Sequence, residues 1–328
     1  MPKAEIHVHL EGSARAETSF AIARRNGVAL PVATLDEWRR YFAFRDFPHF
    51  IDVYRATVDA IRTVDDLAQL VEEFCVDQGR QNIRYTECFV SMSLHLRRLR
   101  PNEILEGLAR GSSRGAELAG VRVAFIADIS REEPMSQSHV LALAIEGARR
   151  GLILGIGLGG LEAEFPAPLF GETYARARES GLHVVAHAGE AAGYESIRES
   201  VEELGVSRIG HGIRVVESAS GMAEMRERGI AFEVCPVSNY ALGIVPSTQP
   251  HPIRAMVDAG LRCTLNSDDP SMLSTDLAAQ YSLLAAQGFT WEELLTLSRQ
   301  TLDATFLSDA EKSKYRAEWD AFAASLAN

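Results

Sequence analysis

Short apolar runs recur along the chain, each closing on polar or glycine residues and most followed by a stretch whose apolar positions have helical spacing. Eight of these runs read as strands: Ala4 to His9, Ile83 to Phe89, Val121 to Asp128, Leu152 to Leu158, Leu182 to His187, Arg208 to His211, Ile230 to Val234 and Leu261 to Asn266. Strands alternating with helices make parallel βαβ units, and eight such units are what closes a (β/α)8 barrel. The expected fold is therefore α/β, a TIM-type barrel, with residues 1–328 forming one domain. Helix punctuation agrees: Thr63-Val-Asp-Asp opens an apolar run as a capping box, and Gly181 stops the stretch from Ala167 to Ser180. Residues 10–82, between the first two strands, are too long for a single crossover. They carry helical patterns at Ala14 to Asn26 and Phe47 to Ile61, which predicts a helical insertion over the barrel mouth. Phe44, Phe47, Phe50 and Tyr54 share a helix face in this insertion, a spacing that favours core packing over a lid that stacks on a ligand. The segment from Thr290 to Asn328 reads as extra C-terminal helices.

Composition narrows the partners. A net charge of -12 argues against an extended phosphate-binding face, so no nucleic-acid partner is expected and a small molecule is the default ligand. The four cysteines, Cys75, Cys88, Cys235 and Cys263, form no Cys-x-x-Cys pair, which disfavours a thiolate zinc site or a disulfide framework and fits a reducing cytoplasm. The start of the chain has no apolar signal core, and no segment approaches the roughly 20 apolar residues of a membrane span. A cytoplasmic protein with no membrane association is expected.

The chemistry lies at the predicted strand ends. His7 and His9 are two apart on one strand, so both imidazoles project to the same face. His187 precedes Ala188-Gly189-Glu190, His211 sits inside Gly210-His-Gly212, and Asp268-Asp269 follow Asn266-Ser267. A lone strand His or Asp is more often structural than functional. Their joint position at the C-terminal ends of alternating strands points instead to a metal held by three His and one Asp, a set that suits Zn2+ with a place left for water. Zinc lowers the pKa of its water toward about 7, so hydrolysis is the implied reaction class.

Four motifs, His7-Val-His9-Leu-Glu11-Gly12, His187-Ala-Gly-Glu190, Arg208-Ile-Gly-His211-Gly and Asn266-Ser-Asp268-Asp269-Pro270, resemble in order and spacing those of the adenosine deaminase family. The resemblance spans nearly the whole chain and implies the barrel independently of the strand count. It implies that His7, His9, His187 and Asp268 bind one Zn2+ per chain. Glu190 would protonate purine N1 as water adds to C6, and His211 would act as base beside the metal, so that Glu190, His211 and Asp268 form the catalytic set. Substrate would lie against Gly160, Asp269, Glu11 and the ligand His9. In this pattern the backbone N–H of Gly160 meets purine N3 and Asp269 meets N7, which requires a proton on one member of the Asp269 pair. A helix N-cap before Pro270 is the structural alternative for Asp269. Two departures bear on the substrate: Gly157 replaces an Asp of the fourth-strand motif, and Glu11 stands where a shorter Asp contacts a ribose 5′ hydroxyl. The substrate implied is a 6-aminopurine nucleoside, adenosine or a 5′-modified relative such as aminodeoxyfutalosine. Free adenine is the second reading, although adenine deaminases tend to carry Asp-Ser-x-Glu on strand four. A silent nucleoside-binding barrel is the third, and the intact Glu190 argues against it.

Other signals are weaker. Gly155-Ile-Gly-Leu-Gly-Gly160 looks like a dinucleotide fingerprint, but acids and a proline follow where an anion-binding helix should begin. Strand four offers no bridging Lys or acid, which favours one metal over two. The run Arg97-Arg98-Leu-Arg100 reads first as a solvated loop and second as a contact for an anionic substituent. His49, His95, His139, His183 and His251 match no ligand spacing and read as structural.

Overall fold

In the computed structural model, which describes residues 1–326, eight parallel strands follow chain order in one sheet. They are β1 (Lys3–His9), β2 (Ile83–Val90), β3 (Arg122–Ser130), β4 (Ile153–Gly159), β5 (His183–Ala188), β6 (Arg208–His211), β7 (Ala231–Val234) and β8 (Arg262–Leu265). The arrangement is the expected (β/α)8 barrel, and the apolar runs locate every strand to within two residues at either end.

The ring closes just beyond β8. Val8 pairs with Asp268 across the seam, the His9 N–H donating to the Asp268 carbonyl at 2.8 Å and the Asp268 N–H to the His7 carbonyl at 3.1 Å. The Asn266 side chain fills in for a missing ladder carbonyl, its Oδ1 accepting from the N–H groups of Ile6 at 3.0 Å and His7 at 3.1 Å. Buried backbone donors demand partners, and here a side chain supplies one.

Between the first two strands lie α1 (Ala16–Arg25), α2 (Leu35–Phe42), α3 (Phe47–Ala60) and α4 (Val64–Arg80). The expected capping box is present at α4, where the Thr63 hydroxyl and the Asp66 carboxylate each accept the other residue's N–H. α4 packs as a barrel helix against α6 (Pro101–Ala119), which follows the single-turn α5 (Met92–His95). Gly107, Gly111 and Gly115 let α4 and α6 approach: a Cβ on Gly111 would lie 2.5 Å from the Cβ of Val71. The shorter α1–α3 segment forms a satellite core of Trp38, Phe42, Phe50 and Val53, which reaches Met272 beyond β8. The main apolar core lies between strands and outer helices and includes Val8, Cys88, Phe125, Ile129 and Ile209. The barrel interior is different, because its floor holds the buried charges Glu87, Arg208 and Glu233. Helices Trp291–Ala304 and Asp309–Leu326 complete the described chain; Ala327 and Asn328 of the expected C-terminal helical segment lie outside the described residues. No described helix is long and apolar enough to cross a membrane.

Candidate active site

β1 ends in the alternation His7-Val8-His9, which buries Val8 outward in the core and turns both imidazoles inward. Phe89 on β2 packs against the rings of His7, His9 and His187 at 4.9, 5.2 and 5.5 Å and fixes their spacing. Two of the three rings are also oriented from behind. His7 Nδ1 meets Glu233 Oε2 at 2.8 Å, and His187 Nδ1 meets the Leu158 carbonyl at 3.1 Å. A carbonyl or carboxylate only accepts, so both Nδ1 atoms carry hydrogen and Nε2 is the atom that each neutral ring would offer to a metal.

Those nitrogens converge. His9 Nε2 lies 3.2 Å from His187 Nε2, and Asp268 Oδ1 lies 3.4 Å from the Nε2 atoms of both His7 and His9. One ligand atom from each of His7, His9, His187 and Asp268 falls within 4.8 Å of all the others. His7 Nε2 is buried without a hydrogen-bond partner. Burial alone would lower the pKa of His7 and His9, yet Asp268 and Glu233 lift His7 to about 9, and Asp269, Asp268 and Asp128 lift His9 to about 10. Carboxylates thus face the converging ring nitrogens and favour positive charge at this point, which a metal cation would supply in place of ring protons. Three imidazoles and one carboxylate at this spacing fit a zinc ion.

Asp268 of this cluster and the neighbouring His211 need unusual backbone. Asp268 at φ 66° and His211 at φ 57° are two of only four non-glycine residues with left-handed backbone among the described residues. That conformation costs roughly 1 kcal/mol or more each and aims both side chains into the mouth.

Glu190 and His211 sit beside the cluster with Glu190 Oε1 3.6 Å from His211 Nδ1. Burial, reinforced by the carboxylates of Asp268 and Glu162, pushes Glu190 up to about 8. Its backbone is held by Glu162, whose carboxylate accepts the N–H groups of Gly189, Glu190, Ala191 and Ala192. Burial holds His211 down at about 3, against the opposing pull of Asp268. Behind His211 stand Asn239 at 3.2 Å and, beyond it, His251 at 3.1 Å. Burial holds His251 down at about 3 as well.

The cavity at the mouth is lined by His9, His187, Glu190, His211, Asp268, Asp269, Asp128 and Gly160, and is roofed by Phe47, Phe50, Ile51 and Tyr54 from α3. The aromatic face expected as packing therefore both packs and lines the cavity. Asp269 caps no helix: a turn follows it, and the next helix, Leu277–Ala286, is capped by Asp276. Its Oδ1 is buried and unpartnered, and burial beside Asp268 pushes its pKa up to about 8. Gly160 adopts φ +107°, and a Cβ there would collide with the Glu132 carboxylate.

Glu11 is placed elsewhere. It is fully buried and does not line the cavity, because its carboxylate accepts from the Ser91 N–H at 2.9 Å, His95 Nε2 at 2.7 Å and the Tyr54 hydroxyl at 3.1 Å. The arginine run is also spent on surface pairs, Arg97 with Glu133, Arg98 with Asp59 and Arg100 with Glu103, and none of the three lines the cavity. Sequence reading missed Asp128, Asn239, His251, Glu162 and Glu233. Of these only Asp128, the charged end of an apolar run, left a signal of the kind that singled out His7, His9, His187 and Asp268. Burial pushes Asp128 up to about 7 in the cavity wall, where its Oδ1 has no partner.

Comparison with known proteins agrees with this geometry. The adenosine deaminase family model matches residues 2–321. An adenine deaminase of Sphingopyxis alaskensis is 35% identical over 98% of this chain and 95% of its own length. The crystal structure of an adenine deaminase from Arthrobacter aurescens superposes with a TM-score of 0.92 at 31% identity, covering 98% of this chain and 99% of that one. An amidohydrolase from Burkholderia ambifaria, solved with bound Zn, gives 0.90 at 28% identity, covering 100% and 93%. A match over nearly its full length places the chain in the adenosine deaminase family, and it is a metal-dependent hydrolase that deaminates a purine.

Proposed function

We propose that this enzyme deaminates free adenine to hypoxanthine and ammonia, using one zinc ion held by His7, His9, His187 and Asp268. The observation that carries the choice of free base over nucleoside is Glu11. The side chain at the position associated with a ribose 5′ hydroxyl is locked by Ser91, His95 and Tyr54 and offers nothing to a sugar. The adenine deaminases at 35% and 31% identity support the same substrate. Their support outweighs the Gly-Leu-Gly-Gly pattern of β4, which favoured a nucleoside.

When bound, zinc lowers the pKa of water toward about 7 and so supplies a nucleophile at neutral pH. The protein's own residues do the rest. Glu190, held up at about 8, keeps its proton at neutral pH and donates it to N1, which makes C6 electrophilic. Asp269, also about 8, can donate to N7 in its neutral form, which meets the need for a proton on that pair. Gly160, with its positive φ in the cavity lining, would offer its N–H to N3 as the family pattern implies. Of the two protons of water, one leaves with ammonia and the other restores Glu190.

The nucleoside reading keeps one observation in its favour, since the cavity continues past the metal cluster to the polar groups of Ser130, Glu132 and Arg55. Spectrophotometric deamination of adenine, adenosine, deoxyadenosine and aminodeoxyfutalosine decides between them. We expect kcat/KM for adenine to exceed the others by at least about 100-fold, the discrimination a filled site can supply. Faster turnover of any nucleoside would overturn the proposal.

A further inference from the structure

His211 is the side chain whose role depends most on where its single proton sits, and the structure assigns that proton from a group that leaves no choice. The chain of inference starts at a backbone N–H, which can only donate. The Ile253 N–H points at His251 Nδ1 at 3.1 Å, so Nδ1 of this neutral, buried ring is an acceptor and Nε2 carries the hydrogen. His251 Nε2–H therefore donates to Asn239 Oδ1 at 3.1 Å, which settles the orientation of the amide. The other end of the amide, Nδ2, then donates to His211 Nδ1 at 3.2 Å, and its second hydrogen faces Glu190 Oε1 at 3.5 Å. His211 Nδ1 is thus an acceptor, and the hydrogen of its neutral ring is on Nε2. An independent contact agrees: the atom facing His211 Nε2 is a carboxylate oxygen, Asp268 Oδ2 at 3.9 Å, which accepts and cannot donate.

We propose that Asn239 and His251 are positioning residues that hold His211 as its Nε2–H tautomer, so that His211 presents a hydrogen-bond donor, and no lone pair, to the reacting centre. A base needs the lone pair that this tautomer lacks. His211 therefore orients and stabilises an oxygen next to C6, and it does not collect a proton from water as the family resemblance implied. The fold builds the relay for this purpose from two separate elements. Asn239 rides on the short helix Pro236–Ala241 directly after β7, and His251 is carried on the loop that leads into the helix Ile253–Asp258. Both side chains are buried, so water does not compete for their hydrogen bonds. The inference rests on the deaminase reading only for the identity of the reaction, and the tautomer can be read without substrate.

Asn239→Asp is the decisive variant because it is isosteric and reverses the relay. A carboxylate accepts from both rings, which would move the His211 hydrogen to Nδ1 and expose the Nε2 lone pair. In zinc-loaded enzyme labelled with 15N-histidine, two-bond 15N–1H correlation should report Nε2–H for His211 in the wild type and Nδ1–H in Asn239→Asp. kcat should fall roughly 10³-fold in that variant with KM changed only a few-fold, the scale expected when a catalytic imidazole is held in the wrong tautomer. His251→Phe, which frees the amide to turn, should lose less, and His251→Gln, whose side-chain N–H can still donate to Asn239 Oδ1, should recover most of that loss. An Nδ1–H signal for His211 in the wild type, or full kcat in Asn239→Asp with its tautomer reversed, would overturn the proposal. Where Asn239→Asp fails to fold, the wild-type tautomer and the paired His251 variants still decide. A wild-type Nε2–H tautomer in a protein that ignores adenine would count against the substrate and leave the relay standing.

Discussion

The floor of the barrel and its mouth are both lined with buried charge, and they treat it in opposite ways. On the floor Arg208 lies between Glu87 and Glu233, stacks its guanidinium 3.8 Å over the Phe306 ring and donates to the Ala304 carbonyl, while Glu87 also accepts from the Tyr85 hydroxyl and the Phe306 N–H. At the mouth His7 Nε2, His9 Nδ1, Asp128 Oδ1 and Asp269 Oδ1 are buried with no partner. A buried polar atom without a partner costs about 1–3 kcal/mol, so four of them close together is an arrangement that a bound metal and substrate would relieve. The floor charges face charges of opposite sign, whereas the four atoms at the mouth gather beside the cavity and the proposed metal position. Glu233 joins the two regions, since one oxygen faces Arg208 and the other orients His7.

The contrast can be broken most completely at Asp268. Asp268→Ala should remove bound zinc and lower kcat/KM by about 10⁴-fold or more, as befits several kcal/mol of lost charge stabilisation, with metal content by plasma emission read beside turnover. Retained stoichiometric zinc would contradict the ligand set. Next comes Glu190→Gln, for which a loss of roughly 10²–10⁴-fold in kcat is expected. Because Glu190 is raised to about 8, its proton is present below that pH and lost above it, so wild-type kcat should fall as pH rises through about 8. Because Asp269 is also raised to about 8, the limb should be reduced in Glu190→Gln and lost only when Asp269→Asn is added, and an unchanged limb in Glu190→Gln would assign it to Asp269 alone. On the floor, Arg208→Met strands two carboxylates and should destabilise the fold by about 3–5 kcal/mol in chemical denaturation. Removing floor charge one partner at a time should thus harm stability, whereas mouth substitutions harm activity. Smallest of all, Arg97→Ala and Arg98→Ala should each change stability by less than about 0.5 kcal/mol and leave kcat/KM unaltered, because these are exposed surface pairs outside the cavity.

The fold was legible because barrel strands are buried on both faces, so most left a short run rich in apolar residues, as in β4, ending near a strand terminus. The convergence of His7, His9, His187 and Asp268 was legible because they sit at or just beyond those termini, and His7 and His9 obey the two-residue repeat of a strand. Loop-borne partners were not. Asn239 and His251 are twelve residues apart and meet only because the segment between them folds back, and neither belongs to a repeat or a local motif. Glu162 lay within a quoted motif, yet its target is the backbone after β5, which no spacing in its own strand foretells. Glu11 was misleading for a related reason: its motif places it at the strand end, but the turn after β1 carries it beneath Ser91, away from the cavity. Side chains that act through neighbours from other elements are invisible until the elements are assembled.

The seam of the barrel has a consequence of its own. The first and last strands are fastened by Val8 and Asp268, and the residue serving as the hoop's buckle also belongs to the cluster proposed to hold the metal. Joining the two ends of the sheet and assembling the catalytic cluster are therefore one event in folding. A half-zipped barrel would be chemically inert, and loosening that fastening by a fraction of an ångström would reach the chemistry before it reached the outer helices.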